Sequence, residues 1–368
     1  MVTHSNPSYY SEMNNKMNEE IELKLRLNAS ELPLLEQVLA NDQFIAEPTL
    51  QLLNRYFDTP TMALSQGGAA LRIRQQKIVG QEQTDIIQTL KTRGTSAGGL
   101  HQRMEWDWPL SKVELDLTLF KSSGADDHLS PDINLTSIGA LFTTDFQRKV
   151  WLYKQDDTVI EMVLDQGSVS TDEHNVDLLE LELELKSGDA EVLFQLAQKL
   201  AQQCPVLMSD ISKAERGYGL LARSNVHKTI KKDWQGKVPH FDEQQDVISA
   251  VKTFFAYQLS AWQRSLEAAV WDKQQDQIEK VKVQLTQLQT VLALFSSIDC
   301  LPEAQLLQRQ LQQAADAEIE ISLIWGQVTL ACGHWLYRLA MDGAMFSMST
   351  QEKLALRIHT EQLTTRLN

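Results

Sequence analysis

The sequence predicts an α+β protein: an eight-stranded antiparallel closed β-barrel flanked by helices, followed by an all-α helical bundle. Three observations carry this expectation. Before Ser224, apolar and charged residues alternate in about eight short stretches, as they do when successive side chains of a strand point to opposite faces. After Glu243 the apolar residues recur at helical spacing instead. Between the two lies a polar, Lys-rich segment holding Pro239, which reads as a linker. The expected divisions are a disordered extension at 1–18, a barrel domain at 19–223, the linker at 224–243 and a helical domain at 244–368.

The first strand, Glu20–Arg26, puts Ile21, Leu23 and Leu25 on one face and Glu20, Glu22, Lys24 and Arg26 on the other. Asn28 or Ser30 then caps a helix with Leu32, Leu35, Val38 and Leu39 as its apolar stripe. Leu50–Asp58 returns as a strand that Thr59-Pro60 stops. Gly67-Gly68 turns into Ala69–Gln75, with Arg72 and Arg74 opposite Leu71 and Ile73. Asp85–Arg93 places Ile87, Thr89, Lys91 and Arg93 together. After Gly98-Gly99, His101–Trp108 sets Arg103, Glu105 and Asp107 against Met104, Trp106 and Trp108.

Short helices are expected near Leu115–Phe120 and Leu135–Phe142. Thr144–Tyr153 carries Arg148, and Thr158–Leu164 carries Glu161, with Asp165-Gln166-Gly167 closing it as a turn. The sharpest alternation is Asp177–Lys186, with Glu180, Glu182 and Glu184 opposite Leu179, Leu181, Leu183 and Leu185. An amphipathic helix spans Ala190–Gln202, and Ser212 caps a short helix that begins at Lys213 and holds Arg216. Helical patterns follow over Val247–Leu266, Ile278–Phe295 and about Ala304–Met341, the last broken near Asp342-Gly343, with their Trp and Met residues expected in the core.

Closure into a barrel leaves no sheet edge exposed, and the helices at Ser30–Ala40 and Ala190–Gln202 supply apolar stripes to cover outward aliphatic faces. The charged faces then line the lumen. Such a lumen is costly unless its charges are paired, hydrated or matched by a ligand and metal.

Composition narrows the function. With 43% hydrophobic and 23% charged residues, the 368-residue chain reads as an ordinary globular protein. A net charge of -15 argues against nonspecific binding to nucleic acid or an anionic membrane. Of the charged residues, 20 basic and 33 acidic lie at or before Ser224, so the acidic excess is mostly N-terminal. Cys204, Cys300 and Cys332 have neither zinc spacing nor an even count, which points to a reducing, cytoplasmic location. Residues 1–19 lack the apolar stretch of a signal peptide, and no apolar run approaches the ~18 residues of a membrane span. The P-loop, GxSxG and HExxH patterns are absent.

What remains suits phosphoanhydride chemistry, which needs neutralised phosphate oxygens, a metal and an oriented water. Carboxylates are the ligands that Mg²⁺ or Mn²⁺ prefers. Glu20 and Glu22 on one strand, and Glu180 and Glu182 on another, are the candidate catalytic and metal-binding pairs, with Lys24 as a further catalytic candidate and Glu184 as a further metal ligand. Lys24, Arg26, Arg55, Arg72, Arg74, Lys91, Arg103, Arg148 and Lys213 are the candidate phosphate ligands. Arg26, Arg55 and Arg93 read equally well as structural or surface residues, Glu184 as a balancing charge, and Glu105 and Asp107 as residues that orient arginines.

Several of these residues sit in an ordered set of motifs. Glu20-x-Glu22-x-Lys24 resembles the ExExK signature of the CYTH superfamily, the triphosphate tunnel metalloenzymes. The set continues through Asn54–Pro60 (NRYFDTP), Ala70–Arg74 (ALRIR), Thr89–Lys91, Gly99–Glu105 (GLHQRME), Thr144–Arg148 (TDFQR), Leu164–Gly167, Glu180–Glu184 and Ser212–Gly217 (SKAERG). The resemblance implies an eight-stranded tunnel that binds a triphosphate with one or two divalent metals. Glu20, Glu22, Glu180 and Glu182 match its metal ligands; Lys24, Arg72, Arg74, Lys91, Arg148 and Lys213 match its phosphate contacts. Arg103 and Glu105 also fit, and Glu161, Asp165 and Arg216 are read as supporting residues.

The wording is closest to bacterial inorganic triphosphatases in which a CHAD domain follows the CYTH domain. Ile278–Phe295 resembles a CHAD first helix in its aliphatics, but Glu279 stands where His is expected and Gln287 and Gln289 where arginines are usual. The C-terminal region is therefore expected to be a shortened CHAD-like scaffold, with homo-oligomerisation through it left open. The expected activity is metal-dependent hydrolysis of inorganic triphosphate to pyrophosphate and phosphate. A nucleoside or thiamine triphosphatase, a class IV adenylate cyclase and a non-catalytic polyphosphate-binding scaffold are the alternatives.

Overall fold

The computed structural model describes residues 19–92, 94–223, 247–271, 275–296 and 302–341. Arg93, Cys300, Asp342-Gly343, the extension at 1–18 and the linker at 224–243 lie outside the described residues. Among the described residues ten strands occur in order: β1 (Glu19–Arg26), β2 (Phe44–Asp58), β3 (Ala70–Ile78), β4 (Asp85–Lys91), β5 (Thr95–Ala97), β6 (Leu100–Leu110), β7 (Gly139–Gln155), β8 (Thr158–Ser170), β9 (Asn175–Ser187) and β10 (Leu207–Met208). Eight of them run β1-β9-β8-β7-β2-β3-β4-β6, every neighbour antiparallel, and β6 pairs back onto β1 to close the barrel. The short β5 and β10 extend β6 and β1.

Outward aliphatics of the barrel are covered as the periodicity requires. Helix α1 (Leu32–Leu39) sets Leu35 and Leu39, and an 11-residue helix at Glu191–Ala201 sets Val192, Leu193, Leu196 and Leu200, against Leu23, Leu25, Leu181, Leu183, Ile160 and Met162. The cap expected at α1 is absent: Asn28 makes no side-chain cap hydrogen bond, and a 3₁₀ turn at Ala29–Glu31 leads in instead. Near the end of β2, Asp58 accepts from the backbone N–H groups of Thr59, Leu64 and Ser65 and from the Tyr218 hydroxyl at 2.9 Å. It thereby anchors the short helix α2 (Ala63–Gln66) to the barrel.

Three sequence expectations change. First, Asp165-Gln166-Gly167 is not a turn: β8 continues to Ser170 and the chain reverses at 171–174. Asp165 is buried mid-strand, held by Arg148 and Lys213. Second, the helix expected at Leu135–Phe142 shrinks to a 3₁₀ turn at Leu135–Ser137, because Gly139 already begins β7. The other short helix is displaced to α3 (Thr118–Ser123).

Third, the lumen is not charged throughout. At one end the inward residues Leu52, Tyr56, Phe142, Phe146, Val169 and Leu178 are apolar or aromatic and seat Tyr218, Leu220 and Leu221. Those three belong to the helix Lys213–Leu221, whose N-cap Ser212 accepts from the Glu215 N–H. This helix plugs that end, and Gly217 lies so close to the Phe142 ring that a Cβ there would collide with it.

Numbering the helices in chain order, Glu191–Ala201 is α4 and Lys213–Leu221 is α5; the C-terminal region adds α6 (Val247–Trp271), α7 (Gln275–Ser296), α8 (Pro302–Ala315) and α9 (Leu323–Met341). The pattern read as one helix over Ala304–Met341 is two, α8 and α9. The polar run from Asp316 interrupts it, and Ser322 accepts from the Trp325 N–H where α9 begins. Trp262, Trp325 and Trp335 are core residues, as their burial shows. These helices pack on the barrel: Leu330 of α9 joins the core between α4 and the strands, and Leu207 of β10 joins the helical core. Gly98, at the β5–β6 turn with a positive φ of 64°, meets Gly333 of α9 backbone to backbone. Among the described residues, no helix is long and apolar enough to cross a membrane.

Candidate functional site

The inward charged faces converge on a cavity of about 650 Å³. Strand register explains who meets whom. Across β1 and β9, Lys24 lies opposite Glu182 and Glu22 opposite Glu184; across β1 and β6, Glu20 lies opposite Arg103. Lys91 of β4 faces Glu105 of β6, and Arg148 of β7 faces Asp165 of β8.

One group centres on Glu20. Its carboxylate accepts from Lys91 Nζ at 2.7 and 2.8 Å and from Arg103 Nε at 2.8 Å. Arg103 also donates to Glu22, whose other oxygen lies 2.6 Å from Lys24 Nζ. Glu105 bridges Lys91 at 3.1 Å and Arg72 at 3.5 Å. Burial would raise Glu20, but Lys91, Arg103 and Lys24 outweigh it and hold its carboxyl well below the usual range. Glu105 goes the other way, raised by burial and by the charge of Glu20.

A second group joins β8, β9 and α5. Asp165, Glu180 and Glu182 bring one carboxylate oxygen each within 4.8 Å of the others. The Lys213 ammonium sits against all three, 2.7 Å from Asp165, 3.1 Å from Glu182 and bonded to Glu180. Arg148 grips Asp165 through two bonds of 2.7 Å and reaches Glu182 at 3.2 Å. Lys24 donates to Glu182 at 2.5 Å. Burial opposes ionisation of Glu182, yet Lys213, Lys24 and Arg148 keep it well below the usual carboxylate range.

The remaining charges are unevenly matched. Arg74 donates Nε to Asn54 Oδ1 at 2.9 Å, and Asn54 in turn donates to Thr144. Among the described residues no carboxylate forms an ion pair with Arg74, and burial, then Arg72 and Arg148, push its guanidinium down to about 10. Arg72 Nε is buried without a hydrogen-bond partner. Across the cavity the imbalance reverses. Glu184 shares Lys186 with Glu161, at 2.7 and 3.1 Å. Burial, with Glu20 and Glu161 adding repulsion, pushes Glu184 up to about 7. One wall is short of anions and the other short of cations.

The donors on the cation-poor wall (Glu20, Glu105, Glu161, Glu184, with Glu22, Glu180 and Glu182 alongside) are all carboxylate oxygens. That chemistry fits a hard divalent cation rather than zinc or copper. The tight trio of Asp165, Glu180 and Glu182 is already neutralised in large part by Lys213, so a cation there would have to share it.

Two residues considered for phosphate binding do not reach the cavity. Arg55 is exposed on the outer face of β2, because Leu52, Asn54 and Tyr56 take the inward positions. Arg26 turns away to Glu267 of α6, at 2.7 Å, with its guanidinium 3.9 Å from the centre of the Trp271 ring. Arg216 goes the same way, donating to Glu267 at 2.7 Å. Asn54 and Thr144, which hold Arg74, and Tyr56 and Lys186, which line the cavity, also belong to the site; the first three lie in the motifs above, but the sequence assigned none of the four a site role. Lys186 follows Glu184 by two in the same alternation, so that signal was present.

The CYTH domain family matches residues 18–218 of this chain. An inorganic triphosphatase of Haemophilus influenzae is 33% identical over 239 residues, covering 65% of this chain and 64% of that relative. The chain thus spans just under two thirds of that relative's length. Among solved structures, a Hippeastrum protein described by its dominant triphosphatase activity aligns over 54% of this chain and 95% of its own, at 19% identity and a TM-score of 0.38. The Mimivirus capping enzyme triphosphatase aligns over 55% and 99%, at 13% identity and a TM-score of 0.33.

Proposed function

This chain belongs to the CYTH family, and on that premise we propose that it hydrolyses inorganic triphosphate to pyrophosphate and phosphate in its barrel, with a divalent metal, Mg²⁺ or Mn²⁺. The observation that carries this reading is the split of the cavity. Arg72, Arg74 and Arg148 form a guanidinium cluster in which Arg74 has no carboxylate partner among the described residues, opposite a wall where Glu184 is pushed up to about 7. A triphosphate would meet the guanidiniums of Arg72, Arg74 and Arg148, and a divalent cation held by the carboxylates would offset the charge on the opposite wall.

In this mechanism Arg72, Arg74 and Arg148 hold nonbridging phosphate oxygens with charge-assisted hydrogen bonds, Arg by its fork geometry. Lys24, Lys91, Arg103 and Lys213 release part of their grip on Glu20, Glu22, Glu180 and Glu182 and turn to the phosphates. Glu20 and Glu22, with Glu180 and Glu182, would hold the metal, while Glu105, Glu161 and Asp165 fix the cations beside them. The metal, when bound, supplies charge neutralisation at the phosphate oxygens. The α5 plug and the barrel walls limit water to what the cavity admits.

The relative from Haemophilus influenzae, named for inorganic triphosphate, supports the substrate. Its aligned part is incomplete, so a triphosphate carrying a nucleoside or thiamine group is tested alongside. The helices α6–α9 are read as a scaffold, and Cys204 and Cys332, both free and buried, suit a reducing cytoplasm. The deciding experiment measures phosphate release from tripolyphosphate, pyrophosphate, ATP and thiamine triphosphate, with Mg²⁺, with Mn²⁺ and with the metal chelated. Tripolyphosphate is expected to turn over fastest, and only with metal. No metal-dependent turnover of any of the four would sink the proposal.

A further inference from the structure

Ser260, Arg264 and Glu267 lie one turn apart on a single face of α6. All three meet the segment 209–216, which leads into α5. The Ser260 hydroxyl donates to Asp210 Oδ2 at 2.6 Å, and Glu267 accepts from Ser209 Oγ at 2.8 Å and from Arg216 Nη2 at 2.7 Å. Arg264 grips the segment at two places. Its Nε donates to Asp210 Oδ2 at 3.1 Å and its Nη2 to the Asp210 carbonyl at 3.0 Å. Nη1 donates to the Glu215 carboxylate as well, and Nη2 reaches its other oxygen at 3.4 Å.

Between the gripped residues lies the part of α5 that faces the cavity. Ser212, Lys213 and Ala214 line it, and Lys213 is the cation that α5 offers to a phosphate. Glu215 lines the same cavity, with its side chain 15% exposed. One turn of helix thus brings a cation and an anion side by side to the wall of an anion site. An unpaired carboxylate at that wall would repel the ligand. Arg264 is not among the lining residues; it takes the Glu215 carboxylate from behind the wall. Its hold on Asp210 fixes the backbone just before Ser212, the N-cap of α5.

We propose that Arg264, contributed by the helical region, is a positioning residue for triphosphate binding. It draws the Glu215 carboxylate out of the phosphate path and fixes the start of α5, so that Lys213 rather than Glu215 meets the phosphates. This rests on the phosphate-binding reading of the cavity and on no metal ligand. The guanidinium fork matters, because a lysine ammonium is a point charge that cannot hold the Asp210 and Glu215 carboxylates and the Asp210 carbonyl together.

The test measures tripolyphosphate binding to the full chain by titration calorimetry, with metal chelated so that no turnover occurs. Burial raises the Glu215 carboxyl, so the titration is run at about pH 8.5 to favour its charged form. Wild type, Arg264→Gln, Arg264→Lys, Glu215→Gln and the double variant Arg264→Gln/Glu215→Gln are compared, with circular dichroism melts to confirm folding. Arg264→Gln is expected to raise the dissociation constant about tenfold, and Arg264→Lys about threefold. In the Glu215→Gln background the Arg264→Gln change should have less than about a twofold effect, since the repelling carboxylate is gone; a purely structural Arg264 would not give that dependence. Equal affinity of wild type and folded Arg264→Gln overturns the inference, as does a tenfold loss that persists without Glu215. If Arg264→Gln fails to fold, Arg264→Lys with and without Glu215→Gln decides it by the same criterion. Wild type that binds no tripolyphosphate would overturn the phosphate reading of the cavity and this inference with it. Binding that responds as expected in a chain without hydrolytic activity would sink the proposed reaction and leave the inference standing.

Discussion

Arg74 offers a sharp separation of function from stability. Its guanidinium borders the cavity and donates to an amide, not a carboxylate, and burial with Arg72 and Arg148 pushes it down from its ordinary value to about 10. A folded-state value below the unfolded one means that the charged form weighs against folding at every pH below about 10, which includes neutral pH. At about 1.4 kcal/mol per tenfold, the cost is ~3 kcal/mol at most. Because the side chain borders an open cavity, solvent reduces this to about 1 kcal/mol. Arg74→Gln removes the charge and keeps an amide near Asn54. Its melting temperature is expected to rise by roughly 2–4 °C in a calorimetric scan. The same change deletes a charge-assisted hydrogen bond to phosphate, about 1.5–3 kcal/mol, so KM for tripolyphosphate should rise roughly 10- to 150-fold. A variant that melts more than about 2 °C below wild type, or that keeps KM within about twofold, would refute the assignment of Arg74 to phosphate binding rather than to the fold.

Other outcomes follow from the same geometry. Glu20→Gln leaves Lys91 and Arg103 without their shared carboxylate; phosphate release should fall more than about 100-fold while the far-ultraviolet circular dichroism stays unchanged. Gly217→Ala drives a methyl into the Phe142 ring, which stacks on Tyr56 and meets Tyr218 edge-on; the cost of overpacking is about 1–3 kcal/mol, read as a lower denaturant midpoint. Burial pushes the Cys204 thiol up to about 11 and raises Cys332 as well. At pH 7.5 neither should be alkylated by iodoacetamide in the native protein, and both should react in denaturant, as site-resolved mass spectrometry would show.

The barrel was legible because a period of two persists wherever one face is aliphatic and the other charged: Glu20–Arg26, Ala70–Arg74 and Asp177–Lys186 could be read directly. Reading failed where a local signal outranked the alternation. Asp165-Gln166-Gly167 has turn composition, but two cations pull Asp165 into the middle of β8. Arg55 was grouped with the inward cations although Leu52, Asn54 and Tyr56, at its alternate positions, occupy the inner face. The apolar seat of α5 was missed because Phe142, Phe146 and Leu178 look like core residues on any strand face. No periodicity could pair Arg26 with Glu267, which lies 241 residues away in a helix of another region.

The ion pairs of Lys24, Lys91, Arg103 and Lys213 have one more consequence. The tunnel carries its own competitor for the ligand: each phosphate that binds must displace a carboxylate tethered beside the lysine or arginine it seeks, at high effective concentration. Affinity for a short anion is therefore a difference between two similar attractions. A triphosphate reaching several cations at once can win that exchange, whereas the separated phosphate and pyrophosphate, each reaching fewer, are handed back to solvent as the carboxylates re-engage. Product release would then need no moving lid.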